Sequence, residues 1–253
     1  MSSMRRSIAV LLVLALIAPM VGGIILLSLP PRGGNGELPV WVFNAQTQSY
    51  MFRGDPDLNN AENPTITIPS MRNGFPVTEI GSAAFRNFSH LQTVNLPNTL
   101  IEIHDNAFRD SGITTQIIPN SVRRIGYNAF RDTKYLTSVT LPVNNHFTRI
   151  FSGTFHGAIS LATLDVPANV GWMEAQSLRN MPSLTTLTLR SPTPVIITGN
   201  TFQDTTMFTS PNPSVHRIYA PQLTIGLYWA EPLWAWAIGT PPLHADSLFW
   251  NIP

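Results

Sequence analysis

Between Thr65 and Arg190 one short pattern is written six times, and this repetition limits the architectures open to the chain more than any other feature. A strand-like apolar run ends in proline, as in Leu91–Pro97, Leu136–Pro142 and Leu161–Pro167. An isoleucine follows, with a phenylalanine five residues later: Ile80/Phe85, Ile103/Phe108, Ile125/Phe130 and Ile150/Phe155, an interval kept by Met173/Leu178. Prolines 69, 97, 119, 142 and 167 lie 28, 22, 23 and 25 residues apart, and Arg190 takes the proline place 23 residues on. A unit this short cannot enclose a core, so each must bury its apolar side against its neighbours, which predicts a solenoid.

Alternation within each run separates two faces. Val94 and Leu96, Val139 and Leu141, Leu164 and Val166, and Leu187 and Leu189 are expected to point inward. Outward, one column reads Thr65, Thr93, Thr115, Ser138, Thr163, Thr186, and the next Thr67, Asn95, Ile117, Thr140, Asp165, Thr188. Threonine suits any exposed pleated surface, so β-propensity alone accounts for much of this. The functional alternative is a hydrogen-bonding face for a protein or glycan, with Thr93, Asn95, Ser138, Thr140, Thr163, Asp165, Thr186 and Thr188 as the first candidates.

The Ile-x4-Phe segment supplies the other wall of each coil. Its phenylalanines are expected in the core, Ala84, Ala107 and Ala129 permit close packing, and the small residues Gly81, Gly126 and Ser152 fit a bend. After the aromatic place come Arg86, Arg109, Arg131 and Arg179, with His156 in the fourth copy. Such a column could hold an anionic polymer. Asp110 and Asp132 directly follow two of its members, so local neutralisation is the competing explanation.

Residues 1–29 read as a membrane-directed segment. Arg5 and Arg6 precede 22 uncharged residues, 8–29, which as a helix would reach about 33 Å, enough for a hydrocarbon core of ~30 Å. An uncleaved anchor with a cytoplasmic start is expected; a cleaved signal peptide fits the charged start and apolar stretch too, although no clean Ala-x-Ala site stands out. Residues 30–39 form a Pro/Gly linker. Residues 40–64 make a small hairpin, placed at Val40–Tyr50 and Met51–Leu58, that caps the repeats of 65–217. Within it, Asp55-Pro-Asp57-Leu-Asn59 invites a calcium-loop reading, but the sixth and twelfth places hold Asn60 and Ile66, so a polar turn is expected. Residues 218–253 should close the open end, with a strand at Ile218, a short helix over 223–237 and four of the six tryptophans (229, 234, 236 and 250).

Composition removes several classes of chemistry. With no cysteine, disulfides and thiolate sites are excluded. Beyond Arg5, Arg6 and Arg32 the chain holds 12 basic and 14 acidic residues, a balance of −2, so nucleic-acid binding through bulk charge is not expected. The six histidines show no helical pair, there is no Gly-x-Ser-x-Gly elbow, and Lys134 is the single lysine, outside any phosphate-binding loop. No catalytic residue, metal or cofactor is expected. The oligomeric state is not legible.

Three stretches are specific enough to carry a resemblance: Gly74-Phe-Pro-Val77 through Ile80-Gly81 to Ala84-Phe85, Leu96-Pro97-Asn98 through Ile103 to Asn106-Ala107-Phe108, and Ile118-Pro119-Asn120 through Ile125-Gly126 to Asn128-Ala129-Phe130. They resemble the BspA-like, or Treponema pallidum-type, leucine-rich repeats, over about Thr65 to Leu243. Later copies drift: Pro142 to Ile150 is lengthened, and Gln116 stands where an apolar residue is expected. The resemblance implies a repeat solenoid, mainly β with short helical or irregular segments, here a right-handed leucine-rich-repeat solenoid behind an N-terminal hydrophobic helix. It also implies a cell-surface or secreted, non-enzymatic module binding protein or glycan ligands. The alternatives are an envelope scaffold on cell-wall polymer and, as a minor one, a glycan-processing enzyme.

Overall fold

The computed structural model describes residues 40–59, 64–205, 217–221 and 249–251. The membrane-directed segment, the linker and the expected helix over 223–237 lie outside them. Among the described residues no helix is long and apolar enough to cross a membrane.

Each coil consists of two short strands and a ribbon of turns. The front stack is formed by β3 (Thr65–Thr67), β6 (Thr93–Asn95), β8 (Thr115–Ile117), β10 (Ser138–Thr140), β12 (Thr163–Val166), β14 (Thr186–Leu189), β16 (Arg217–Ala220) and β17 (Phe249–Asn251). The second stack begins with an antiparallel hairpin, β1 (Trp41–Asn44) and β2 (Ser49–Phe52), and continues through β5 (Phe75–Ile80), β7 (Glu102–Ile103), β9 (Arg124–Ile125), β11 (Arg149–Ile150), β13 (Trp172–Met173) and β15 (Ile196–Ile197). A two-residue strand, β4 (Met71–Arg72), folds antiparallel onto β5. Coil-to-coil pairing is parallel and in register, with Thr65 opposite Thr93, Thr115 opposite Ser138, and Thr163 opposite Thr186. Because side chains alternate at every residue, this register preserves the inward and outward columns from coil to coil.

The Ile-x4-Phe segments form the third wall, which is not helical. Alternate amides close local turns, as from Ala84 N–H to Gly81 O and Arg86 N–H to Ala83 O, and the amides between them reach the next coil. Thus Phe85 N–H bonds Ala107 O at 2.7 Å, Phe108 N–H bonds Ala129 O at 2.8 Å and Phe130 N–H bonds Thr154 O at 2.9 Å. Sustaining this ribbon needs two left-handed residues four positions apart, supplied by Asn106/Asp110, Asn128/Asp132 and Gly153/Gly157. Asn, Asp and Gly bear that conformation at least cost. The bends therefore fall beyond Gly81 and Gly126, where the sequence placed them. Gly126 is required instead by close approach, since a Cβ there would meet Asp105 N at 2.7 Å and His104 C at 2.8 Å.

Between the walls runs a spine of rings. Phe52, Phe85, Phe108, Phe130 and Phe155 follow one another with centroids 5.2, 5.0, 5.0 and 5.6 Å apart. The last four are completely buried, and Leu178, also buried, continues the line without a ring. At the N-terminal end Trp41 meets Phe52 edge-on at 4.9 Å, so the hairpin covers the first coil with aromatic surface.

Three local features depart from the expected pattern. The hairpin turns between Asn44 and Ser49, several residues earlier than predicted, and the Asp55 carboxylate accepts the Asp57 amide to start a single 3-10 turn over Pro56–Leu58. The lengthened fourth copy places Phe147 in the core; Asn144 holds the extra loop by donating to Asn120 O and Val122 O and accepting from the His146 and Phe147 amides. Direct ladder pairing lapses there, between β9 and β11 and between β10 and β12. It also lapses between β6 and β8, where the buried Gln116 amide substitutes for a strand: its Oε1 accepts Val94 N–H at 3.3 Å, and its Nε2 donates to Val94 O at 2.8 Å and Ile117 O at 2.9 Å.

Candidate functional site: the front sheet

On the front sheet Thr115, Ser138, Thr140, Thr163 and Asp165 are exposed, while Thr93, Thr186 and Thr188 are half-buried. Part of the polar surface satisfies itself. Thr93 Oγ1 and Thr115 Oγ1 lie 3.2 Å apart, and Asn95 Nδ2 donates to Thr67 Oγ1 at 3.0 Å. Asp165 is clasped by the fork of Arg190, Nε to Oδ1 at 2.7 Å and Nη2 to Oδ2 at 2.6 Å, so both of its oxygens are engaged. Among the described residues, the hydroxyls of Ser138, Thr140 and Thr163 have no side-chain partner. Beside Ser138 and Thr140, Ile117 is 71% exposed, with Asn95 on one flanking strand and Thr140 on the other. A neutral patch of free hydroxyls around one apolar side chain can bind by hydrogen bonding and a small hydrophobic anchor, with little dependence on charge.

The arginine column lies on the turn ribbon, on a different wall from the hydroxyl patch. Arg109 Nε sits 3.3 Å from Asp110, in ionic contact without hydrogen-bond geometry, and Arg131 Nε bonds Asp132 at 3.2 Å. Arg179 meets Asp204 of the next coil at 3.3 Å. Burial first, and then the neighbouring Arg131 charge, hold the His156 imidazole below its ordinary range, which leaves a neutral break in the column. Arg86 is exposed and has no ion pair among the described residues. The column is thus largely compensated along its length.

The outward column of the second stack carries a denser network that sequence reasoning passed over. Arg124 pairs with Glu102 and Asp105 and lies 5.0 Å from the Phe151 centroid; Arg149 pairs with Glu174 at 3.0 Å and lies 4.4 Å above the Trp172 ring. The place just before each isoleucine, or before Met173 in its stead, namely Glu79, Glu102, Arg124, Arg149 and Trp172, would have signalled it. At its start, His104 Nε2 bonds Glu79 at 2.7 Å, and Nδ1 faces Glu102 at 3.7 Å.

The Glu79 hydrogen bond, with the Glu102 and Glu79 charges, raises His104 above its usual range despite partial burial and the opposing Arg124. A group bound more tightly by protons when folded contributes stability that is complete below its unfolded pKa and is lost as pH rises through the folded value. The melting temperature of the native protein should therefore exceed that of a His104→Gln variant by more at about pH 5.5 than at about pH 8. Thermal melts across that window check it; a gap that widens with pH would contradict the assigned charge.

A sequence profile of BspA-type leucine-rich repeat regions matches the chain in six copies, over residues 48–185 and 143–217. Among solved structures, the fold is similar to the leucine-rich repeat protein of T. pallidum, at 21% identity and TM-score 0.52, over 59% of this chain and 67% of that one. It is also similar to a leucine-rich repeat protein from Eubacterium ventriosum, at 15% identity and TM-score 0.50, over 65% of this chain and 48% of that one. The chain thus spans about half the length of the second protein. No curated protein matches it in sequence. At these identities the likeness is one of fold.

Proposed function

The chain belongs to the BspA-type leucine-rich-repeat family, and from that premise we propose that it is a non-enzymatic interaction module of the bacterial envelope whose front sheet binds a protein or glycan ligand. One observation carries the assignment to this face: the free hydroxyls of Ser138 and Thr140 lie on the strand beside exposed Ile117, with that of Thr163 one strand further on, and these strands are paired to β8 and β14. A surface ordered in advance binds without paying for its own immobilisation. The apolar segment 8–29 would hold the repeats at the membrane, or direct their secretion if cleaved, and the linker would space them from it.

The test is a binding screen of the full chain against extracellular-matrix proteins, cell-wall polymer and a glycan array. Replacing Thr93, Asn95, Thr140 and Thr163 together by alanine should weaken a saturable interaction by about tenfold or more. The interaction should also change little with ionic strength, because charge-led contacts are the ones that salt screens. Binding lost only on replacing Arg86, Arg109 and Arg131 would sink this assignment and make the protein a polymer-associated scaffold.

A further inference from the structure

At the edge where the turn ribbon enters the front sheet, the chain leaves a notch of about 430 Å³ between coils, open to solvent. His90 lines it from one coil and Tyr135 from the coil after next. The intervening coil has Gly112 at the corresponding place, fixed by the hydrogen bond that its N–H donates to Phe88 O at 2.9 Å. No larger residue can stand there: a Cβ on Gly112 would lie 2.1 Å from the Ser89 carbonyl oxygen. The gap between the two rings is therefore part of the backbone design and not a side chain that happens to be small. With strands ~4.8 Å apart, positions two coils apart are separated by about 10 Å. Contact distances of ~3.5–4.0 Å on each side leave room for one six-membered ring.

The remaining lining defines what kind of ring. Gln92 is exposed, and its side-chain amide has no partner among the described residues; Ser89 adds a hydroxyl, and Thr114 Oγ1, which donates to Gln92 O at 3.4 Å, can still accept. Among the described residues no Asp, Glu, Lys or Arg lines the notch. Tyr135 is 64% exposed, and neither it nor His90 has a hydrogen-bond or ring partner among the described residues. The floor is rigid, because the N–H groups of Gln92, Thr114 and Thr137 donate coil to coil, at 2.7, 2.9 and 2.8 Å, to the Pro64, Gln92 and Thr114 carbonyls. A few convergent polar groups beside aromatic side chains are what a small-molecule site requires. Their neutrality selects a ligand that offers C–H faces to the rings and hydroxyls to an amide. An aromatic peptide side chain would leave the Gln92 side-chain amide and the Ser89 hydroxyl unpaired on binding, at a cost in affinity.

We propose that the notch between His90 and Tyr135, over Gly112, binds one neutral sugar ring of a glycan whose remainder lies along the front sheet. This rests on the front-sheet assignment above and specifies its ligand. It opens beside Thr93 and Thr115, so one oligosaccharide can occupy both.

The experiment titrates the full chain with neutral tetrasaccharides of glucose, N-acetylglucosamine, mannose and galactose, followed by calorimetry. At least one should bind saturably, and Tyr135→Ala and Gln92→Ala should each weaken it by about tenfold. Both side chains are exposed, so unchanged melting curves will show that the variants fold. Tyr135→Phe should keep most of the affinity, since the ring face and not the hydroxyl is used. The proposal falls if none of the sugars binds, if Tyr135→Ala binds as well as the native chain, or if tyrosine- and tryptophan-bearing peptides bind instead and are the ligands lost in that variant. Loss of binding in the front-sheet alanine variant, with none in Tyr135→Ala, would overturn the notch and leave the front-sheet function standing. Peptide or protein binding at the front sheet without any sugar binding would do the same.

Discussion

Phe108→Ala should destabilise the solenoid by about 3–5 kcal/mol, the range for deleting a large buried side chain when the surrounding structure cannot collapse. Phe108 has no exposed surface and is stacked on both sides, with Phe85 and Phe130 each 5.0 Å away at 16° and 5°. The walls around it are pinned: Phe85 N–H bonds Ala107 O from the preceding coil, and Phe108 N–H bonds Ala129 O in the next. Truncation therefore leaves a cavity in the middle of the spine instead of a slumped wall. In a chain of this size the loss corresponds to roughly 6–20 °C in Tm. Because repeats are stabilised chiefly by nearest neighbours, the damage should be concentrated in the coils on either side and seen as faster amide exchange there. A loss below about 1 kcal/mol would contradict the stacked spine.

Gln116→Leu is the second large effect. The two side chains are similar in length, but leucine cannot replace either half of the amide. Val94 N–H and C=O, both satisfied by Gln116, would be left without partners in the interior, and each such group costs about 1–3 kcal/mol. A net loss of about 2–4 kcal/mol is expected, together with faster exchange of the Val94 amide specifically. The opposite outcome is informative. If Gln116→Leu were neutral or stabilising, β6 and β8 would be pairing directly once the amide is removed, and the interruption would be a choice of side chain and not of backbone.

The contrast between Phe108 and Gln116 also explains which parts of the molecule can be read from sequence. The phenylalanine spine recurs at one place per copy, and its burial follows from stacking alone, so periodicity suffices. The outward columns are legible for a related reason: parallel strands in register carry the two-residue alternation from coil to coil, and Thr163 lies opposite Thr186 as the pattern requires. Gln116 reads only as an irregularity, because its role depends on a backbone group 22 residues away that has no sequence signature.

The turn ribbon was half legible. Asn106 and Asp110, and Asn128 and Asp132, stand four apart as residues that tolerate positive φ, yet in sequence the aspartates draw attention as charges beside Arg109 and Arg131. In the structure they serve both purposes. The Arg149–Trp172 stack escaped notice because that outward place changes from Glu79 and Glu102 to Arg124 and Arg149 and then to Trp172, so it is legible only as alternating charge along a column and not as one repeated residue type. On the front sheet, sequence identifies the hydroxyls but not which are free. Thr93 and Asn95 are already engaged by neighbouring coils, Asp165 is held by Arg190, and Thr140 and Thr163 are not. The difference lies in the reach and rotamer of side chains on adjacent strands.

The most direct test of the account is an amide-exchange footprint of the full chain bound to whichever partner the screen captures. Binding at the front sheet should slow exchange in β6, β8, β10 and β12 and their entry turns, and leave the ribbon bearing Arg109, Arg131 and Arg179 unchanged. Protection confined to that ribbon, with the front strands exchanging as in the free protein, would contradict the central claim that this module recognises its ligand through the front sheet.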